Sequence, residues 1–206
     1  MSAAAHEAQL EALLRHPSLW RGRGAAAVEG LATGFPALDA MLPGGGWPRQ
    51  GLVEIITTGS GHGELALWTP LIRQLTQAEQ ARCCAFIAPP FELFAPAWRG
   101  AGVRLERLLV ARAADSLWAL EQALQSGVCA MALAWQERAG MGQLRRLVLA
   151  AERGAALGVL IRPLRAALGS TAAGLRLMAR RTATHLRLEL LKGRGMAPRS
   201  VELALP

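Results

Sequence analysis

The stretch from Gly51 to Leu67, GLVEIITTGSGHGELAL, runs from an apolar segment through glycines into a helical pattern, the outline of a phosphate-binding turn. In such a turn the glycines let backbone N–H groups approach phosphate oxygens, a lysine neutralises them, and the next Ser or Thr hydroxyl holds magnesium. Here Gly59, Gly61 and Gly63 are in place, but Glu64 stands where the lysine is needed and Leu65 where the hydroxyl is needed. A carboxylate beside bound triphosphate in a partly desolvated pocket is repelled by several kcal/mol on the Coulomb scale. The loop therefore reads as a nucleotide site without its chemistry, and no catalytic residue, cofactor or metal is expected there. The same glycines would suit a dinucleotide fingerprint, yet Ala88-Pro89-Pro90 supplies no acid for a ribose at the end of the second strand. His62 beside Glu64 makes an acid–base pair only if a third group or a nucleophile joins them, and the sequence places none. Backbone amides at this helix start could hold a sulfate or phosphate, but Glu64 in the first turn already answers the positive end of the dipole.

The second concentration of chemistry is charge. The net charge is +8, and between Arg162 and Arg199 lie nine basic residues (Arg162, Arg165, Arg176, Arg180, Arg181, Arg187, Lys192, Arg194 and Arg199) against the single acid Glu189. Outside that segment basic and acidic residues balance. A localised basic segment fits an anionic partner, while a solvated arginine-rich face explains it equally well. Arginines would contact phosphates without reading sequence. No Phe, Trp or Tyr lies between Arg162 and Pro206, so the stacking platform common in single-strand binders is missing. Backbone binding to DNA and binding to an acidic protein both remain open.

These groups must be positioned by a fold, and 206 residues with 52% hydrophobic content suffice for one domain with a substantial core. No apolar run approaches the roughly 18 residues that cross a bilayer, and the first residues do not form a leader, so no membrane contact and a cytoplasmic location are expected. Cys83, Cys84 and Cys129 fall in strand-like runs and read as buried thiols. Residues 1–30 read as a separate arm: an amphipathic helix from His6 to His16, stopped by Pro17, then a Gly/Ala-rich linker. Trp20 and Arg21 in that linker are candidate partner contacts.

Residues 31–206 read as the core. Strands are expected at Leu52 to Thr57, Cys83 to Ala88, Arg107 to Val110, Val128 to Ala134 and Leu157 to Ile161. Helices are expected at Glu64 to Gln80, Phe91 to Gly100, Asp115 to Gln125 and Met141 to Arg153. Such alternation implies an α/β fold with a mostly parallel central sheet flanked by helices on both faces. Leu175 to Arg180, Ala183 to Leu191 and Ser200 to Leu205 read as antiparallel strands at the C-terminal end, carrying the basic residues. Trp47, Trp68, Trp98 and Trp118 read as core or edge anchors.

The order of elements and motifs resembles a known family. The run Thr33-Gly34-Phe35-Pro36-Ala37-Leu38-Asp39, the turn Pro43-Gly44-Gly45-Gly46-Trp47 and the strand Val53-Glu54-Ile55 resemble the lead-in to a RecA-type core. Joined to the lysine-free loop and the terminal Lys192-Gly193-Arg194-Gly195 hairpin, the pattern resembles the ImuA family. These are RecA-like accessory factors of damage-induced mutagenesis, related to the SulA-type division inhibitors. The resemblance runs over most of Leu31 to Leu205.

It implies a RecA-like core, and at the four positions a RecA-type ATPase needs, this chain has Glu64, Leu65, Pro89 or Pro90, and Trp135. Prolines cannot act as bases, and Trp135 is expected to pack over the vacated site. A non-catalytic adaptor, a pseudo-ATPase, is therefore implied. Its partners by resemblance are an ImuB-type polymerase-like protein and an error-prone C-family DNA polymerase, with RecA or DNA as further contacts. The candidate contact residues are Trp20, Arg21, Arg176, Arg180, Arg181, Lys192, Arg194 and Arg199. The alternative is a SulA-like inhibitor acting on the tubulin-like FtsZ.

Overall fold

A computed structural model of the chain describes residues 29–61, 63–193 and 199–204. The expected helix His6 to His16, the arm with Trp20 and Arg21, His62 and Arg194 all lie outside the described residues.

One eight-stranded sheet organises the chain. Its strands are β1 (Gly51–Thr57), β2 (Cys83–Ile87), β3 (Leu108–Ala111), β4 (Cys129–Trp135), β5 (Leu157–Pro163), β6 (Leu175–Arg181), β7 (His185–Lys192) and β8 (Ser200–Ala204), in spatial order β3-β2-β4-β5-β1-β6-β7-β8. The pairs from β3 through to β6 are parallel, and β6–β7 and β7–β8 are antiparallel. The mixed α/β architecture expected from the alternation is thus present. One refinement concerns β6: the sequence groups it wholly with the antiparallel end, but it also extends the parallel sheet alongside β1.

Helices α1 (Pro36–Met41), α2 (Glu64–Gln77) and α3 (Ala95–Gly100) share one apolar core with Val53, Ile55, Leu177 and Leu188. Helices α4 (Ser116–Gln125) and α5 (Met141–Arg153) form the other core with Leu52, Ala132 and Leu160. Strands buried on both sides carry unbroken apolar runs because helices cover both faces of a parallel sheet. On β7 the pattern changes to alternation: Leu186, Leu188 and Leu190 are buried while Arg187 and Glu189 are exposed. That alternation is what a sheet covered on one face requires.

Local chemistry sets the helix ends. Asp115 caps α4 by accepting the Trp118 N–H at 2.9 Å, and Gln143 of α5 accepts the Gly140 N–H at 2.9 Å. The helix expected from Phe91 begins only at Ala95. Pro96 is tolerated in a first turn, where its missing N–H is not needed, but deeper in a helix its ring would meet the carbonyl four residues back. Trp118 is 57% exposed and does not serve as the expected anchor, because Leu117, Leu120 and Leu124 supply the buried side of α4. Trp47 and Trp68 are buried and stacked, with centroids 4.2 Å apart, and tie the glycine-rich turn to α2.

The Thr33-Gly34 motif is explained by structure alone. Asp39 of α1 accepts the Thr33 N–H at 2.9 Å, and Gly34, at φ +85°, lies where an added Cβ would sit 2.4 Å from Pro70. Cys84 and Cys129 are buried as expected, while Cys83 is half-buried. Burial, reinforced by Cys129 and Cys83, pushes the Cys84 thiol up to about 12.

A charge cluster sits where the parallel sheet meets its extension. Glu54, in the middle of β1, is fully buried. Its Oε1 accepts from Arg162 Nη1 of β5 at 2.7 Å, and its Oε2 accepts from Arg176 Nε of β6 at 2.7 Å. Both arginine side chains are only 6% exposed. Arg176 also donates to the carbonyls of Gly169 at 2.8 Å and Ala167 at 3.3 Å, pinning the connection between β5 and β6.

One carboxylate thus serves two guanidiniums, so the three side chains differ in how replaceable they are. Glu54→Gln strands two buried cations and is expected to cost about 3–5 kcal/mol. Either arginine-to-methionine variant should cost less, because each leaves one balanced pair with Glu54, and Arg162→Met least, because Arg176 also holds the Ala167 and Gly169 carbonyls. Urea unfolding of the three variants measures the order, and an Arg162→Met cost equal to that of Glu54→Gln would contradict it.

Candidate functional site

The glycine loop joins the C-terminal end of β1 to α2. Thr57 is buried, and its hydroxyl accepts the Gly59 N–H at 3.0 Å while donating to the Gly59 carbonyl, which turns the chain as it leaves the sheet. Gly63 precedes the helix at φ +90°, a conformation any residue with a Cβ would resist. So far the loop is shaped like one that receives phosphate.

Its electrostatics are different. Glu64 is 3% exposed, and its Oε1 accepts the Gly61 N–H at 2.8 Å. The carboxylate therefore occupies an amide of its own loop, where an anionic ligand would otherwise bind. The Leu65 side chain packs, partly buried, against the α2-side core, at the position where a phosphate-binding loop carries a hydroxyl.

After β2 the chain passes through Ala88, at φ +48°, into Pro89 and Pro90. Phe91 follows, with its ring edge 3.9 Å from where a Cβ on Gly61 would stand. Phe91 and Phe94 are 66% and 70% exposed, with the exposed Glu92 between them paired to Arg112. Trp135, at the end of β4, packs against the α2-side core, and its indole Nε1 is buried without a partner.

The basic C-terminal residues divide into distinct groups. Arg162 and Arg176 are buried on Glu54, so the expected surface contact at Arg176 is corrected: its guanidinium is held inside the fold. Arg165 pairs with Glu137, and Lys192 Nζ donates to the Thr171 carbonyl at 3.0 Å. Arg180, Arg181, Arg187 and Arg199 are exposed. Register sets Arg180 beside Arg187 and Arg187 beside Glu202, with Glu189 next in line, so two carboxylates interrupt the exposed arginines. The free positive surface is therefore smaller than a count along the chain implies.

Sequence reading misses the Glu54 cluster and the exposure of Phe91 and Phe94. The first has a signal, since a carboxylate inside a run of Val and Ile demands a buried cation. The second has none, because an apolar residue near a helix start looks the same whether it faces core or solvent. Among the described residues no group of His, Cys, Asp and Glu could hold a metal ion, and no helix is long and apolar enough to cross a membrane.

No protein-family model matches the chain. It is 36% identical over 138 residues to Protein ImuA of Caulobacter vibrioides, a segment covering 64% of this chain and 56% of that protein. The chain thus spans about half the length of that relative. It is 34% identical over 101 residues to the cell division inhibitor SulA of Pseudomonas aeruginosa, covering 48% of this chain and 63% of that one. The crystal structure of SulA from Pseudomonas aeruginosa aligns at 30% identity over 54% of this chain and 97% of its own, with a TM-score of 0.45. The resemblance to the ImuA proteins and their SulA relatives, carried in the sequence by the glycine-rich turn and the altered loop, is borne out.

If Glu64 holds the loop closed from within, Glu64→Ala should lower stability by about 1–2 kcal/mol, the typical loss when a backbone donor is left without its charged acceptor. Chemical denaturation measures it. Unchanged stability would mean that the Gly61 bond contributes nothing.

Proposed function

We propose that this chain, a relative of the ImuA proteins, is a non-catalytic adaptor of SOS translesion synthesis built on a RecA-like core. The observation that carries this reading is the bond from the Gly61 N–H to Glu64, since a loop amide held by the chain's own carboxylate is withdrawn from phosphate. Pro89, Pro90 and Trp135 stand where a RecA-type ATPase needs acids to activate water and organise magnesium. Positioning and metal electrostatics supply nearly all phosphoryl-transfer catalysis, so a core without them is left with binding. Similarity to ImuA over 138 residues supports the damage-response setting.

On this reading the chain binds an ImuB-type polymerase-like protein and works in one complex with an error-prone C-family DNA polymerase. RecA, or DNA through Arg180, Arg181, Lys192, Arg194 and Arg199, is a further contact. The similarity to SulA over 101 residues favours a second reading, an inhibitor of FtsZ assembly. The two separate in one set of assays. The adaptor is expected to co-purify with the ImuB-type protein and to leave FtsZ polymerisation unchanged; the reverse pattern would replace the first reading with the second.

The DNA contact has its own test. Neutralising Arg180, Arg181, Lys192 and Arg194 to Gln should weaken binding to single-stranded DNA and flatten its salt dependence by about 0.7 for each phosphate no longer neutralised. An unchanged salt slope would assign those charges to proteins or to solubility.

A further inference from the structure

The Glu54 cluster holds one more positive charge than it balances, and it holds it out of water. An unbalanced buried charge is costly unless other groups answer it. Arg176 meets part of that need through the Ala167 and Gly169 carbonyls. Each arginine keeps one buried nitrogen without a hydrogen-bond partner, Nη2 of Arg176 and Nε of Arg162, but among the described residues Arg162 has only Glu54 to answer its charge.

Arg162 also lines a cleft of about 720 Å³, within the size range of ligand sites. The cleft opens outside the C-terminal ends of β4 and β5, where crevices of open α/β sheets receive ligands. One wall is the loop Gln136 to Gly140, and the other is formed by Arg165, Ala166, Gly169 and Ser170. Arg138 and Arg165 add two cations to the lining, against Glu137 and Asp115. These four charges offset one another, with Glu137 bonded to Arg165 and Asp115 also capping α4, so the net positive charge of the cleft is the surplus at Arg162. On the same turn but outside the lining, Leu164 is 40% and Leu168 93% exposed.

We propose that this cleft docks an extended, acidic and leucine-bearing segment of a protein partner. A carboxylate of the segment enters toward Arg162 between Arg138 and Arg165, and an apolar side chain covers Leu164 and Leu168. The excess buried charge selects an anion, and the exposed leucines select one attached to apolar groups. A nucleic acid fits less well, because a chain of repeated phosphates has no use for the exposed Leu168. The proposal rests on the adaptor reading only in taking the occupant to be a protein.

The test is titration of the ¹⁵N-labelled full chain, followed by amide shifts. The probes are an acetylated peptide Leu-Asp-Asp-Leu-Phe-Glu-Leu, its Asn/Gln counterpart and a short oligothymidylate. The acidic peptide should shift the resonances of residues 136–143 and 162–170, and the amide counterpart should not. Arg138→Gln with Arg165→Gln should weaken binding about tenfold or more, the loss typical of a charge-assisted hydrogen bond. Leu168→Ser should weaken it about threefold or more by removing apolar surface from the interface. All three positions are exposed, and the unperturbed remainder of the spectrum reports that the fold is intact.

Equal binding of the amide counterpart, shifts confined elsewhere, no shifts at all, or tighter occupation of the same resonances by oligothymidylate would each overturn the proposal. A polymerase-like partner that binds a chain carrying Arg138→Gln, Arg165→Gln and Leu168→Ser together as tightly as the natural chain would remove the cleft and leave the adaptor reading standing. Peptide binding in the cleft, with no such partner bound, would do the opposite.

Discussion

The fold depends on one carboxylate. Glu54 lies at 0% exposure in the strand where the parallel sheet and its antiparallel extension meet, and its two oxygens reach arginines on both neighbouring strands. Register places Arg176 directly beside it, and Arg162 two residues beyond its β5 neighbour Leu160. A buried ion pair of this kind is weak support for stability by itself, because desolvating its members offsets much of their attraction. Its structural consequence is geometric. The arginines can be satisfied only if β5, β1 and β6 keep this order, and Arg176 then draws the β5–β6 connection over the end of the sheet through two carbonyls. The surplus positive charge left at Arg162 faces a cleft, which connects a constraint on folding to a feature of the surface.

The glycine loop follows a related rule. A phosphate loop must present free amides and cations to an anion, whereas here an anion belonging to the chain takes an amide. Glu64 and Leu65 are therefore more than missing residues, since each has a structural use: one accepts the Gly61 N–H, and the other joins the core. The exposed ring of Phe91 lies beside the loop. A core of this kind offers surfaces for binding, which is the basis for reading it as an adaptor.

Much of the fold is legible in the sequence because its elements are strongly patterned. The α5 boundaries match those expected, since Leu144, Leu147 and Ala151 recur at helical spacing and Gln143 and Gly154 bound the run. The strands are recognisable as short apolar runs, yet their spatial order is not, because pairing between β1 and β5 joins residues about a hundred positions apart and leaves no local trace. A helix from Phe91 to Gly100 is too long, since periodicity ignores what Pro96 forbids. At the candidate site the loop is legible residue by residue, while the fate of the arginines is not. Nothing in a linear count separates Arg176, buried on Glu54, from Arg180, exposed four residues later. Trp20, Arg21 and Arg194 lie outside the described residues, so the candidate contacts there keep the standing that the sequence alone gives them.

The central proposal, that this core binds partners without using nucleotide, is most directly tested by calorimetric titration of the full chain with magnesium–ATP. The account predicts no binding heat at nucleotide concentrations up to the millimolar range. Micromolar affinity would contradict it, because the Gly61 amide and its neighbours would then have to accept phosphate despite Glu64.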